Sequence, residues 1–235
     1  MGETSFVIRE MNSPHDNLIA LIPVYNAAGH VGKVVRRTLA QAGRVLVVDD
    51  GSTDGSGEEA REAGAEVIRH AVNRGKGAAL KTGLAQCGKL DCDWIILLDA
   101  DGQHDPDDIP RLLAGRDSRA RLVIGNRMTQ TDNMPLTHRV GNRLGSWILS
   151  RLCRQPLADS QCGFRLLHRS LLDVLKLTAD RYEVDSEMLI LAARAGHRIA
   201  SVPVATIYAD EHSHIRPMKD MVRMIRLLLH YCHGH

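Results

Sequence analysis

Apolar residues in this chain gather in short runs, and the early runs stop at polar or acidic turns. Residues 18–22, 44–48, 66–68, 94–98 and 122–124 read as strands. The longer runs are apolar on both faces, as strands inside a parallel sheet are. Pro23 is expected to stop the first. Val31, Val34, Val35 and Leu39 recur at helical spacing and predict a helix over 31–42. Further helices are expected from Asn73 to about Cys87, near 109–113, through Leu152, near 171–175, from about Tyr182, and over 218–230. A late strand covers 199–204. Strand and helix alternate up to Arg127, which calls for a layered α/β fold in one domain. That domain spans 17–216, between a flexible segment over 1–16 and a C-terminal amphipathic helix and tail over 217–235.

The stretch from Trp94 to His104 organises the rest. Its strand runs into Asp99, Asp101, Gln103 and His104. Alternate residues past a strand end project to one side, so Asp99, Asp101 and Gln103 can converge. Hard oxygen donors of this kind suit Mg²⁺ or Mn²⁺ shared with substrate phosphates. A plainer reading covers part of the loop: Asp105 caps a helix whose first residue is Pro106. A calcium loop counted from Asp99 fails, with His104 and Pro110 where Gly and Glu belong. The second strand also ends in carboxylates, Asp49 and Asp50, followed by Asp54. Asp54 can simply start the next helix and Asp49 cap a turn. In open α/β sheets, ligands bind at the carboxyl ends of strands.

Two nucleotide motifs are absent. Pro23-Val24-Tyr25-Asn26 stands where a dinucleotide fold has its glycines, and Tyr25 either stacks on a base or packs at the strand end. Asn73-Arg74-Gly75-Lys76-Gly77 lacks P-loop spacing, although Lys76 at a helix start can meet a phosphate. Asp185 and Glu187 fit the dipole at a helix start.

Charge and composition narrow the partners. The net charge of +2 and 3% aromatic residues argue against a general nucleic-acid binder. Five cysteines without a C-x-x-C pair read as reduced, cytoplasmic thiols. No signal peptide, myristoylation pattern or membrane-spanning run is found. Arg127, Arg139, Arg143 and Arg151 accompany Leu144, Trp147, Ile148 and Leu149, a mixture that suits either a solvated face or a membrane surface. The C-terminal helix reads as docked on the domain or as an interfacial anchor.

Taken together, these motifs resemble the inverting family 2 glycosyltransferases of the GT-A fold, and among them the dolichyl- or polyprenyl-phosphate sugar synthases. The resemblance covers residues 17–220 and rests on the motifs at 23–26, 49–54, 73–77, 99–104, 125–127 and 159–164, in that order. It implies a Rossmann-like, mostly parallel central sheet flanked by helices. It also implies a hexose moved from a nucleoside-diphosphate sugar, of GDP-mannose or UDP-glucose type, to a lipid phosphate at the cytoplasmic face of a membrane. Pro23, Tyr25 and Asp50 would hold the nucleoside, joined on the donor by Lys76, Asp99 and His214. Asp99, Asp101 and Gln103 would hold Mg²⁺ or Mn²⁺, with Asp101 also counted as catalytic. Arg127 and Arg139 would bind the acceptor phosphate, which attacks without a general base; a hydroxyl acceptor would need one, from Asp159 or Asp185. Ala27 stands where the synthases often carry Glu. Tyr208 and His214 stand at the Arg and Lys of their R-x-x-G-x-S-K pattern, which leaves UDP-sugars open and ties activity to His214 titration near about pH 6–7.

Overall fold

The structure, a computed structural model, describes residues 17–117, 119–129, 136–205 and 217–233. The expected flexible segment over 1–16, the loop over 130–135 and the loop containing Tyr208 and His214 lie outside them.

One seven-stranded sheet forms the core, built from β1 (Leu18–Val24), β2 (Arg44–Asp49), β3 (Glu66–Arg69), β4 (Trp94–Leu97), β5 (Ala120–Asn126), β6 (Arg165–His168) and β7 (Arg198–Pro203). The spatial order is β3-β2-β1-β4-β6-β5-β7. All neighbours pair in parallel except at β6, which runs antiparallel to both β4 and β5. Among the described residues, seven helices flank it: α1 (Val31–Leu39), α2 (Ser56–Glu62), α3 (Lys76–Cys87), α4 (Ile109–Ala114), α5 (Leu136–Cys153), α6 (Val184–Arg194) and α7 (Pro217–His233).

The apolar runs are strands because both of their faces are covered. Ile19 and Leu21 of β1, Leu46 and Val48 of β2, and Ile95 and Leu97 of β4 share one core layer with α3, α5, α6 and α7. The residues between them, including Ala20, Ile22, Val45, Val47 and Ile96, share the other with α1, α2 and α4. At about 25 cal/mol per Å² of apolar surface removed from water, this double-sided burial supplies the main favourable term.

Three expectations need correction. Pro23 does not end β1; it pairs with Val48 of β2, while pairing with β4 has already stopped at Leu21, so its missing N–H interrupts no ladder on that side. The strand β6 was not anticipated: its apolar pair Leu166–Leu167 is too short to show a period. The expected helix near 171–175 is a 3₁₀ turn over Arg169–Asp173.

The C-terminal helix α7 is docked on the domain. Leu227 and Tyr231 are buried in the helix-side core, the Tyr231 hydroxyl donates to Glu187, and Arg194 donates to the Tyr231 carbonyl. Among the described residues, no helix is long and apolar enough to cross a membrane.

Candidate functional site

The parallel strands β1 to β5 all deliver their carboxyl ends to one edge of the sheet, and the segment leading into antiparallel β6 reaches the same edge. The motifs therefore meet there, although they are far apart in sequence.

At the centre stands Lys76, the first residue of α3. Its ammonium lies 2.8 Å from Asp99 Oδ1, just past β4, and 3.2 Å from Asp185 Oδ2 in the first turn of α6. Burial works against the charge on Lys76, but Asp185 and Asp99 outweigh it and raise its pKa above the usual lysine range. Burial likewise opposes ionisation of Asp99, yet Lys76 above all brings its pKa down to about 2. Both groups are charged at neutral pH.

Glycines make this approach possible. A Cβ on Gly163 would sit 2.7 Å from Asp99 Oδ2 and 3.0 Å from Lys76 Nζ. Gly75, at φ +107°, and Gly77 pack against the backbone carbonyls of Asp180 and Ala179. The glycines flanking Lys76 thus admit the chain's own 179–180 segment, whose Asp180 carbonyl accepts the Ala78 N–H at 3.2 Å.

The loop after β4 keeps Asp101 partly exposed, with Oδ1 accepting the Gln103 N–H at 2.9 Å. Asp101 lines a cavity of about 140 Å³ with His30, Lys33 and His104. Asp105 caps the 3₁₀ turn Pro106–Asp108 by accepting the Asp107 N–H, as its sequence context indicates. Among the described residues, no three His, Cys, Asp or Glu side chains gather closely enough to hold a metal by themselves. Asp99 and Asp101 fit the hard-cation mode in which one or two carboxylates are supplemented by substrate phosphates and water.

His104 was not assigned a role from sequence. It is buried, stacks on Phe164 with ring centroids 5.2 Å apart, and accepts the Asp99 N–H at Nδ1 over 3.1 Å. Burial outweighs the pull of Asp99 and lowers its pKa to about 4. The unfolded chain therefore takes this proton near pH 6.5 and the folded chain only near about 4. Stability of the metal-free protein is expected to fall by roughly 3 kcal/mol from this group as pH drops through that window. Urea unfolding midpoints measured from pH 7 to 4 should show the slope, and His104→Gln should flatten it; an unchanged slope refutes the assignment.

A second cluster lies beside the first. Arg127, directly after β5, makes a two-pronged pair with Asp159: Nε to Oδ2 at 2.8 Å and Nη2 to Oδ1 at 3.0 Å. Asp159 is fully buried and also accepts from Asn142 of α5 at 2.7 Å. Burial would raise its pKa, but the Arg127 hydrogen bonds prevail and lower it. Arg139 stands one turn before Asn142, partly buried.

Arg165, another residue without a role in the sequence reading, is fully buried at the start of β6. Its Nε donates to the Cys162 carbonyl at 2.7 Å, Nη2 to the Ser160 carbonyl at 2.9 Å, and Nη1 to the Asp185 carbonyl. It locks the 160–162 loop to the start of α6. An arginine directly before the apolar pair Leu166–Leu167 is the available signal.

On the other flank, β2 and β3 end at a cleft of about 410 Å³ formed by Gly51, Ser52, Thr53, Arg69, His70 and Ala71. Asp50 accepts from His70 Nδ1 at 2.6 Å and from the Arg74 and Gly75 amides. It ties this cleft to the loop that carries Lys76. Pro23 lies near the end of β1, and Tyr25, just beyond it, is exposed. The structure thus joins Lys76, Asp99 and Asp185 directly, and Arg127 with Asp159. His214 lies outside the described residues.

Known proteins show the same architecture. The model of the family described as "Glycosyl transferase family 2" matches residues 19–176. An uncharacterized protein of Methanocaldococcus jannaschii is 36% identical over 89% of this chain and 88% of its own length. A UDP-N-acetylglucosamine–dolichyl-phosphate N-acetylglucosaminyltransferase of Methanococcus voltae is also 36% identical, over 83% and 88%. Among solved structures, glucosyl-3-phosphoglycerate synthase of Mycobacterium tuberculosis, with uridine diphosphate bound, superposes at TM-score 0.69 and 22% identity, covering 92% of this chain and 80% of that one. The sheet order, the acidic end of β4 and the family match lead to one assignment: the chain belongs to glycosyltransferase family 2 and has the GT-A fold.

Proposed function

We propose that this protein is a metal-dependent, inverting glycosyltransferase that moves a hexose from a nucleoside-diphosphate sugar to a polyprenyl or dolichyl phosphate. The observation that carries the reading is the ionised Asp99, held by Lys76 beside Asp101 at the carboxyl end of β4. The nucleoside lies in the cleft after β2 and β3, where Asp50 fixes the wall through His70, and Pro23 and Tyr25 at the end of β1 take part in holding it. Asp99 and Asp101, with Gln103, hold Mg²⁺ or Mn²⁺, which when bound offsets charge on the departing diphosphate. Lys76 adds a fixed positive charge beside that diphosphate, and its two carboxylate partners keep it oriented. Arg127 and Arg139 receive the acceptor phosphate, which is ionised at neutral pH and attacks the anomeric carbon directly. The protein works as a peripheral enzyme at the cytoplasmic face of a membrane. Of the two donor types, the UDP-sugar is favoured, because the Methanococcus voltae relative is named for UDP-N-acetylglucosamine and dolichyl phosphate.

One observation favours a second reading, with a hydroxyl acceptor. Asp185 Oδ1 is buried and makes no hydrogen bond, so it has a lone pair free to take a proton. Asp159 is less suited to that task, since both its oxygens are engaged.

Thermal unfolding with UDP, GDP, CDP and dTDP, each with and without Mn²⁺, tests the donor site. UDP is expected to raise the melting temperature only with metal, and Asp101→Ala to lose the effect. Radiolabelled UDP-sugars with a polyprenyl phosphate then test transfer. No stabilisation by any nucleotide removes the reading, and binding without transfer to any acceptor points to a nucleotide-sugar-binding subunit.

A further inference from the structure

Glu187 fits the dipole at the start of α6, but its side chain serves another segment. It is fully buried. Its Oε2 accepts the backbone N–H groups of Thr178 and Ala179 at 3.0 and 2.9 Å, and Oε1 accepts the Thr178 hydroxyl at 2.5 Å. Oε1 also accepts the Tyr231 hydroxyl of α7 at 3.1 Å. Burial, and after it the nearness of Glu187, pushes the Tyr231 phenol up to about 12, so it keeps its proton and donates. The segment that Glu187 holds is the one packed on the start of α3. The Ala78 N–H has no partner inside its own helix, and the Asp180 carbonyl supplies one. Lys81, further along α3, donates to Asp180 Oδ1 at 2.6 Å and to the Thr178 carbonyl at 3.2 Å. Arg181 donates to Asn73 on the other side of Lys76 at 2.7 Å. Gly75 and Gly77 leave no slack, since a Cβ on either would overlap the Asp180 or Ala179 carbonyl. A shift of residues 178–181 therefore carries both flanks of Lys76 with it.

We propose that Glu187 is a positioning residue for the donor site: it fixes the 178–181 segment against α3 and so sets where the Lys76 ammonium stands, and Tyr231 makes the docking of α7 part of that setting. A buried carboxyl group is costly unless its oxygens are answered. Here the donors that answer it come from the segment on α3 and from α7, so its bonds join two elements to the lysine rather than merely fill the core. The inference deepens the donor reading and rests on it for the purpose of Lys76, which is to meet the donor diphosphate.

Amide hydrogen exchange and donor kinetics on Tyr231→Phe and Glu187→Gln form the test. Tyr231→Phe removes a single hydroxyl and keeps the ring in its core layer, so it carries the test even if Glu187→Gln fails to fold. In Tyr231→Phe, exchange over residues 78–80 is expected to quicken about three- to tenfold relative to residues 84–87 of the same helix. A general loss of stability would quicken both ends alike. The KM for the donor should rise by a similar factor, roughly three- to tenfold, while the KM for the acceptor stays unchanged. Glu187→Gln, which turns an amide toward hydrogen-bond donors, should raise the donor KM further, by roughly thirtyfold. In a Lys76→Met background neither change should weaken UDP binding with Mn²⁺ any further, because the effect passes through Lys76. Exchange that is unchanged at 78–80, or that quickens equally at both ends, overturns the inference. So does a donor-side loss that persists in full without Lys76. Selective exchange at 78–80 in a protein that binds no nucleotide counts against the donor reading alone, since the hold of Glu187 on the start of α3 is then still seen.

Discussion

Asp99→Asn is expected to lower sugar transfer by about 10²–10³-fold while the protein remains folded. The change keeps the shape of the side chain and removes its charge. Lys76 retains its contact with Asp185, so the helix start stays anchored. In the proposed site, however, the lost negative charge is one of the two carboxylates at the end of β4 offered to a cation, and Lys76, left with Asp185, would repel an incoming cation more strongly. The side chains of this pair are 15% and 29% exposed, so water screens it only in part, while the retained Lys76–Asp185 contact limits the loss. The melting temperature should therefore fall by about 2–8 °C, the displacement that about 1–2 kcal/mol produces in a domain of this size. Initial rates over a Mn²⁺ series, set beside a melting curve, provide the check. Transfer within tenfold of the native rate in Asp99→Asn would remove this carboxylate from the chemistry.

The largest loss of stability is expected from Arg165→Met. Methionine approximates the length of arginine and packs well, so the defect is electrostatic rather than a cavity. Three backbone carbonyls, of Ser160, Cys162 and Asp185, would lose their donors in a buried setting. Asp185 Oδ1, 3.7 Å from the guanidinium, would lose its nearest positive charge on that side. Removing one member of such a buried charged network costs about 3–5 kcal/mol. For a domain of this size that corresponds to a melting temperature lower by roughly 10 °C. Arg165→Lys should recover only part of the loss, since an ammonium cannot reach three divergent carbonyls with the geometry of a planar fork. If Arg165→Met melts within 2 °C or so of the native protein, the buried fork is not what holds the 160–162 loop to α6.

How much of this was legible depended on whether a residue's partner lay near it in sequence. The strand at Trp94 could be read because its burial on both faces leaves an unbroken apolar run. The place of Asp99 and Asp101 just past β4 could be read because the apolar run stops there. The Asp105 cap needed only the following proline. The sequence offers Lys76 at a helix start, where it can meet a phosphate, but its two carboxylate partners come from the end of β4 and from α6, and no local pattern joins 76, 99 and 185. The Arg127–Asp159 pair was hidden in the same way: its members were assigned separate duties, and only the shared sheet edge brings them together. β6 escaped because four residues cannot display a period of two convincingly, and its neighbours β4 and β5 precede it by many residues. His104 looked like the polar end of a loop; its burial follows from Phe164, which arrives from the approach to β6.

The position of β6 also sets an order of assembly. The strands β3, β2, β1 and β4 are adjacent in space and contiguous in sequence, so one half of the sheet can pair as soon as residues 18–97 are available. β5 has no such opportunity, since its neighbours β6 and β7 come later in the chain. It must wait through the whole of α5 before the strand that joins it to β4 has been synthesised. Pairings that close such long loops are slow to form, and domains emerging from the ribosome build from the N-terminal side. Asp99 and Lys76 belong to the early half, whereas Asp185 belongs to the late one. A nascent chain would thus carry Lys76 and Asp99 in place before Asp185 reaches Lys76, making the completed ion cluster a signature of finished folding.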